Sequence, residues 1–195
     1  DWAIALDPGN PVFRVNRAAL YGFVGRDAEA FDDYASVERE DPDRIELYTG
    51  RAALWMRKGR LDRAAEDLDR SFSVRPSAAG WTVRGNLALL EGRTADASVC
   101  YTEALILDPA HAEALRMRGH AARAAGRWAD AAADLAEAIA KGDRSVATRI
   151  DLARALARAG DSKGARREME RVLTDHPGHP DAARLRTELS GYTFR

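Results

Sequence analysis

One cysteine, Cys100, is all the thiol chemistry that this 195-residue chain contains. A single thiol cannot close an internal disulfide or supply the several thiolates of a structural zinc site. Its expected place is that of a small, partly buried helix residue. Lysine is almost as scarce, with only Lys58, Lys141 and Lys163 among 30 basic residues. Together with abundant alanine, this arginine-heavy usage points to a bacterial, high-GC coding bias and carries no mechanism. There is no apolar run of about 18 residues, so no transmembrane helix is expected. Surplus charge is missing too: 30 basic residues face 31 acidic ones, whereas a nonspecific phosphate binder shows a strong positive excess. No glycine-rich phosphate loop occurs, because the glycines come singly. The four histidines, His111, His120, His176 and His179, fall in no metal or nucleophile motif, and His176 with His179 would offer only two ligands. No strand is expected either, since alternating apolar and polar runs bounded by turn signals are absent. These absences disfavour an enzyme, a metalloprotein and a nucleic-acid binder, and no cofactor is expected. At 46% hydrophobic and 31% charged residues, the chain is far from the composition of disorder.

What the chain has is a period. Gly25, Gly59, Gly92, Gly126 and Gly160 follow one another at 34, 33, 34 and 34 residues. Five residues after each glycine stands an alanine: Ala30, Ala64, Ala97, Ala131 and Ala165. Nine residues after it comes a bulky side chain: Tyr34, Leu68, Tyr101, Leu135 and Met169. Seventeen residues after it come Pro42, Pro76, Pro109 and Pro177, with Asp143 as the exception. A sustained period of this length marks a repeat array.

Each unit is expected to be two antiparallel helices joined by a tight turn. Glycine ends the first helix by adopting the left-handed conformation at no steric cost. Asp27, Thr94 and Ser162 are then expected to cap the second helix. At the junctions, Asp7-Pro8, Asp41-Pro42 and Asp108-Pro109 offer a carboxylate cap followed by proline at a first helical position. The carboxylates of Glu29, Asp32, Asp33, Glu38 and Glu40 fall on polar helix faces, where intrahelical pairing is the expected role.

These residues resemble the tetratricopeptide repeats, a family of 34-residue helix-turn-helix units with small residues at the eighth and twentieth places and bulky ones at the fourth, eleventh and twenty-fourth. The eighth place holds Ala18, Ala52, Gly85, Gly119 and Ala153; the eleventh keeps Tyr21, Trp55 and Leu156 but has Ala88 and Ala122. The resemblance implies an all-α, right-handed α-solenoid of antiparallel helix pairs, one continuous domain. Five units would span 11–44, 45–77, 78–111, 112–145 and 146–179. Residues 1–10 would end a preceding unit, and 180–195 would hold a capping helix and tail, with Ala182, Leu185 and Leu189 on its buried face. In the fourth unit, Lys141-Gly142-Asp143 replaces the usual leucine, aspartate and proline, so its exit turn is expected to differ.

The resemblance also implies a concave groove lined by the first helices. Transferred place by place, it gives Val12, Val15, Thr49, Met56, Thr82, Asn86 and Leu89 toward the N-terminal units. Toward the C-terminal units it gives Glu113, Arg116, His120, Arg123, Ile150 and Arg154, with Arg158 one place beyond. Such a groove is apolar at one end and basic at the other, suited to a protein or peptide partner with an acidic stretch and hydrophobic anchors. The family's chaperone carboxylate clamp is not expected, because its places fall on Val15, Ala19, Gly50, Ala79 and Val83. Nucleic acid is not the expected partner, for want of aromatics among Arg116, Arg118, Arg123, Arg127, Arg149, Arg154 and Arg158. Self-association through Trp2, Ile4 and Leu6 at the N-terminal edge is the alternative. A cytoplasmic location is expected, although an upstream signal or anchor could have been lost, and no membrane contact is evident.

Overall fold

Eleven helices and no strand make up the described residues, 10–191, of the computed structural model. They divide into two compact units, and the chain passes from one to the other between Gly92 and Arg93, inside the turn of the third expected repeat. The first unit holds α1 (Pro11–Phe23), α2 (Asp27–Glu40), α3 (Ile45–Arg57), α4 (Leu61–Val74) and α5 (Ala78–Leu90). The second holds α6 (Thr94–Leu107), α7 (Ala112–Ala124), α8 (Trp128–Ala140), α9 (Val146–Arg158), α10 (Ser162–Asp175) and α11 (Pro180–Gly191). Within each unit consecutive helices pack against one another, α1 on α2, α3 on α4, α7 on α8 and α9 on α10.

The periodic glycines stop the first helices as their chemistry requires. Gly59 sits at φ +71°, its amide donates to Met56 O, and the next amide, of Arg60, reaches back to Trp55 O at 2.9 Å. That pair of bonds satisfies the last carbonyls of α3 and turns the chain. The caps differ from expectation. Asp27 and Thr94 are the first residues of their helices, and the cap places fall to Arg26 and Arg93, which make no side-chain cap bond. At the fifth turn Asp161, not Ser162, caps α10 by accepting from Gly164 N at 2.8 Å. One residue after the glycine is enough to reverse the chain, and each second helix starts two residues after it.

The proline junctions also differ. Pro42 and Pro109 lie in turns ahead of α3 and α7 rather than at a first helical position, and Asp108 accepts from Ala110 N at 3.0 Å within its own turn. Proline does open α1, behind Asn10, whose side chain accepts from Val12 N, and it opens α11. Asp7-Pro8 lies outside the described residues. The fourth exit turn has its own construction. Gly142, at φ +106°, closes α8, and Asp143 accepts from Ser145 N at 2.8 Å and from Thr148 Oγ1 at 2.9 Å. Aspartate thus fixes by hydrogen bonds the turn that proline fixes elsewhere by its ring.

Small residues at the eighth and twentieth places let the paired helices approach. Ala18, Ala30, Ala52, Ala64, Ala131, Ala153 and Ala165 are all fully buried. A Cβ on Gly119 would lie 3.0 Å from Leu135 Cγ and 3.3 Å from Ala131 O, so α7 and α8 approach too closely there for ease. Tyr34, Leu68, Leu135 and Met169 fill the interior at the bulky place. On α11, Ala182 and Leu185 pack with Met169 and Val172 and cover the end of the last repeat.

A charged contact recurs across these helix pairs that the sequence pattern did not suggest. Arg17 forks onto Asp33 at 2.7 and 2.6 Å, Arg51 onto Asp67 at 2.8 and 2.8 Å, and Arg118 onto Asp134 at 2.9 and 2.7 Å. Each fork joins a first helix to its second, sixteen residues on. Asp33 and Glu38, expected to pair within their helix, instead serve α1 and α3. Intrahelical spacing cannot reveal a partner supplied by a neighbouring helix. The third repeat has Cys100 at the aspartate's place, and Arg84 turns to Asp69 and the face of Phe72.

Candidate peptide-binding faces

Each unit presents its own candidate face, formed by its first helices. In the first unit the fifth place of each repeat turns inward: Val15, Thr49 and Thr82 are 7%, 9% and 1% exposed. Val15 joins the core of α1, α2 and α3, while the hydroxyls of Thr49 and Thr82 donate to Ile45 O and Ala78 O. These three are turned into the packing of the first unit, and in the second unit Ile150, 3% exposed, is buried in the same way. The fifth place faces the neighbouring helix pair, and apolar or self-satisfied residues there are drawn into packing. Val12 remains exposed; Met56, Asn86 and Leu89 are half-buried, and Met56 also packs against the core of α3 and α4.

Between α1 and α3 lies a cavity of about 250 Å³ lined by Ala18, Ala19, Gly22, Phe23, Tyr34, Gly50, Ala53, Leu54 and Arg57. Its walls are mostly apolar. Arg57 stands at its rim, donating to Gly22 O and pairing with Asp27, which Lys58 also holds at 2.9 Å. Burial of the Tyr34 phenol pushes its pKa up to about 12, so the hydroxyl stays protonated.

The second unit carries the basic residues, but they are not bare. On α7 and α9, Asp151 meets His120 Nε2 at 3.3 Å, Arg154 Nη1 at 3.3 Å and Arg123 Nη1 at 3.9 Å. His120, with Arg123 and Arg154, holds the Asp151 carboxyl below the usual carboxylate range against the opposing effect of burial. His120 Nε2 is at ion-pair distance but not aligned as a hydrogen bond, and Arg123 Nε is likewise buried without an acceptor. Arg116 lies 3.4 Å from Asp143 and 3.9 Å from Glu113. Arg158 is exposed and stacks over Trp128 at 5.6 Å. Transfer of groove places missed both Asp143 and Asp151. Each reaches the basic side chains of α7 from beyond it in the chain, which spacing along α7 could not indicate.

Other arginines grouped in the sequence do not form one strip. Arg118 is committed to Asp134, Arg149 to Glu168 at 2.8 Å and Arg127 to Asp130 at 3.1 Å. Among the described residues, no three His, Cys, Asp or Glu side chains gather as a metal site, and no helix is long and apolar enough to cross a membrane. Trp2, Ile4 and Leu6 lie outside the described residues.

Antiparallel helix pairs with side chains presented along their first helices define a helical-repeat interaction protein. Two sequence profiles, each described as Tetratricopeptide repeat, match residues 82–146 and 122–189, and the chain belongs to that family. It is 32% identical over 75 residues to the small glutamine-rich tetratricopeptide repeat-containing protein 2 of Mycosarcoma maydis, a match covering 38% of this chain and 21% of that protein. The chain thus spans about a fifth of that relative. Among solved structures, PilW, a type IV pilus biogenesis factor, superposes with a TM-score of 0.75 at 15% identity, over 94% of this chain and 86% of that one. The first tetratricopeptide repeat domain of Spaghetti (RPAP3), bound to the HSP90 peptide SRMEEVD, superposes with a TM-score of 0.54 at 23% identity, over 58% of this chain and 90% of that one. The fold is that of a protein–protein interaction scaffold, in a family of generally non-catalytic modules.

Proposed function

We propose that the chain recruits a protein partner by holding an acidic peptide segment against the α7 and α9 face of its second unit, without catalysis. One observation carries this: around Asp151, two guanidinium groups and an imidazole converge on a single carboxylate. The local charge is therefore positive, and Arg123 and Arg154, with side chains 40% and 36% exposed, can each turn a donor outward. A guanidinium takes a carboxylate through two parallel hydrogen bonds, which an acidic side chain supplies and an apolar one does not. The SRMEEVD peptide held by a relative of the same fold is acidic in this sense. The residues of this chain do not reproduce the family's carboxylate clamp, so the donors differ even where the ligand class is shared.

Selection of a random peptide-display library on the immobilised protein tests this reading. Enrichment of glutamate- and aspartate-rich segments on the wild type, lost on an Arg123→Gln, Arg154→Gln variant of unchanged helicity, is the expected outcome. Enrichment without acidic bias, or equal enrichment on both proteins, would contradict it.

A further inference from the structure

Two neighbouring helices of the second unit show water an apolar face. α6 and α8 both pack on α7, whose Arg118 donates to Thr102 of α6 at 3.4 Å and forks onto Asp134 of α8. On α6 the exposed residues Ala95, Val99, Thr102 and Ile106 fall on one side at helical spacing, and Val99 and Ile106 are 60% and 66% exposed. On α8 the exposed residues Ala129, Ala133, Ala136 and Ala140 hold the same places of the next repeat, so both rows look out from one side of the unit. A surface helix ordinarily turns its polar face to water. Other second helices do so at these places, with Asp62, Glu66, Asp69 and Ser73 on α4 and Lys163, Arg167, Glu170 and Thr174 on α10. The charges around the two apolar rows are of one sign. α6 and α8 contain no Lys, Arg or His, and they carry Asp96, Glu103, Asp130, Asp134 and Glu137. Arg93 holds Asp96, Arg127 holds Asp130 and Arg118 holds Asp134, which leaves Glu103 and Glu137 without a counter-ion among the described residues.

We propose that the α6 and α8 face is a second docking surface, and that its occupant is an amphipathic helix of a partner protein, with large apolar residues along one side and Lys or Arg at its flanks. The alanines of α8 form a low wall that a helix can approach to about 8 Å, where Val99 and Ile106 interlock with its side chains. Each row runs three turns, about 17 Å, a length that three turns of a partner helix cover. Glu103 and Glu137 supply the charge that a basic flank meets. A second copy docking through the same face would set the same carboxylates against these and is repelled. The outer face of α10 is basic, but Lys163, Arg167, Glu170 and Thr174 offer no large apolar side chain to cover Val99 and Ile106. An anionic lipid surface is repelled by the same carboxylates. No residue of this surface belongs to the α7 and α9 face, so either one stands if the other fails.

Display of a helical-bundle scaffold with one helix face randomised, selected on the immobilised protein, supplies the helix to measure. The winners are expected to repeat Leu, Ile, Met or Phe at i, i+3 or i+4, and i+7, with Lys or Arg beside them, and to bind the Arg123→Gln, Arg154→Gln variant as they bind the wild type. They should bind at least about ten-fold more weakly to an Ile106→Asp, Ala133→Asp variant, which buries two unpaired charges at the contact. Both substituted positions are exposed, and unchanged helicity and melting temperature establish that the variant is folded. Glu103→Lys, Glu137→Lys should weaken binding of the same helices about three-fold or more and reduce its dependence on salt. Winners that do not distinguish the wild type from Ile106→Asp, Ala133→Asp, winners with acidic flanks, or winners lost on Arg123→Gln, Arg154→Gln would overturn the proposal. So would a wild-type dimer in light scattering, or binding to phosphatidylserine-containing vesicles, that Ile106→Asp, Ala133→Asp abolishes, since a second copy or a membrane would then be the occupant.

Discussion

Arg51 of α3 forks onto Asp67 of α4 at 2.8 Å through both Nε and Nη2, with side chains only 11% and 6% exposed. Its Nη1 meanwhile reaches Glu38 of α2 at 2.6 Å. One guanidinium thus ties three consecutive helices. Burial acts to lower the Arg51 pKa, and the hydrogen bonds to Asp67 and Glu38 outweigh it and keep the group charged.

Removing the cation should therefore cost more than removing either anion. Arg51→Met leaves Asp67 buried and unpaired and is expected to destabilise by about 3 kcal/mol or more. Asp67→Asn leaves Arg51 its second partner and should cost less. Urea unfolding of the two variants checks the order, and the reverse order would contradict the central place given to Arg51.

Two glycines should respond differently to alanine. At Gly59 nothing lies within 4 Å of an added Cβ, but φ is +71°, so Gly59→Ala should cost about 1 kcal/mol from backbone strain alone. At Gly50 the added methyl meets the Tyr34 hydroxyl, and Gly50→Ala should cost about 1–3 kcal/mol through overpacking. The second loss should shrink in a Tyr34→Phe background and the first should not. Thermal melts of the single and double variants measure both.

Acid should weaken the protein through particular carboxylates. Asp151 is held low by His120, Arg123 and Arg154, and Glu38 by Arg51 and Arg70. A carboxylate with a depressed folded-state pKa contributes stability that is fully present above its unfolded value, about 4 for either residue, and is lost as pH falls through the folded value. The melting temperature should drop as pH is lowered from about 5 toward 2.5, and Asp151→Asn should flatten that drop. An acid limb unchanged in the variant would remove Asp151 from the account.

Much of this architecture was legible in the sequence because steric constraints repeat with the period. Gly59 must be glycine for its turn, and Ala52 and Ala64 must be small where α3 crosses α4, so the spacing of these residues exposed the helix pairs. The site was less legible. Val15, Thr49, Thr82 and Ile150 occupy a place that groove transfer takes as presented, and burial against the neighbouring pair withdraws them. Asp151 and Asp143 became counter-ions only once α9 and its turn were packed beside α7. Periodicity along a chain fixes which face a residue takes; it does not say which charge will stand opposite.

The α7 and α9 face is tested most directly by fluorescence anisotropy with a fluorescein-labelled peptide of alternating glutamate and leucine, titrated with wild type and with the Arg123→Gln, Arg154→Gln variant. The account predicts binding by the wild type that weakens at least about ten-fold in the variant, the loss of two charge-assisted contacts, and that falls with added salt. Equal affinity for both proteins, or equal binding of a peptide with lysine in place of glutamate, would contradict it.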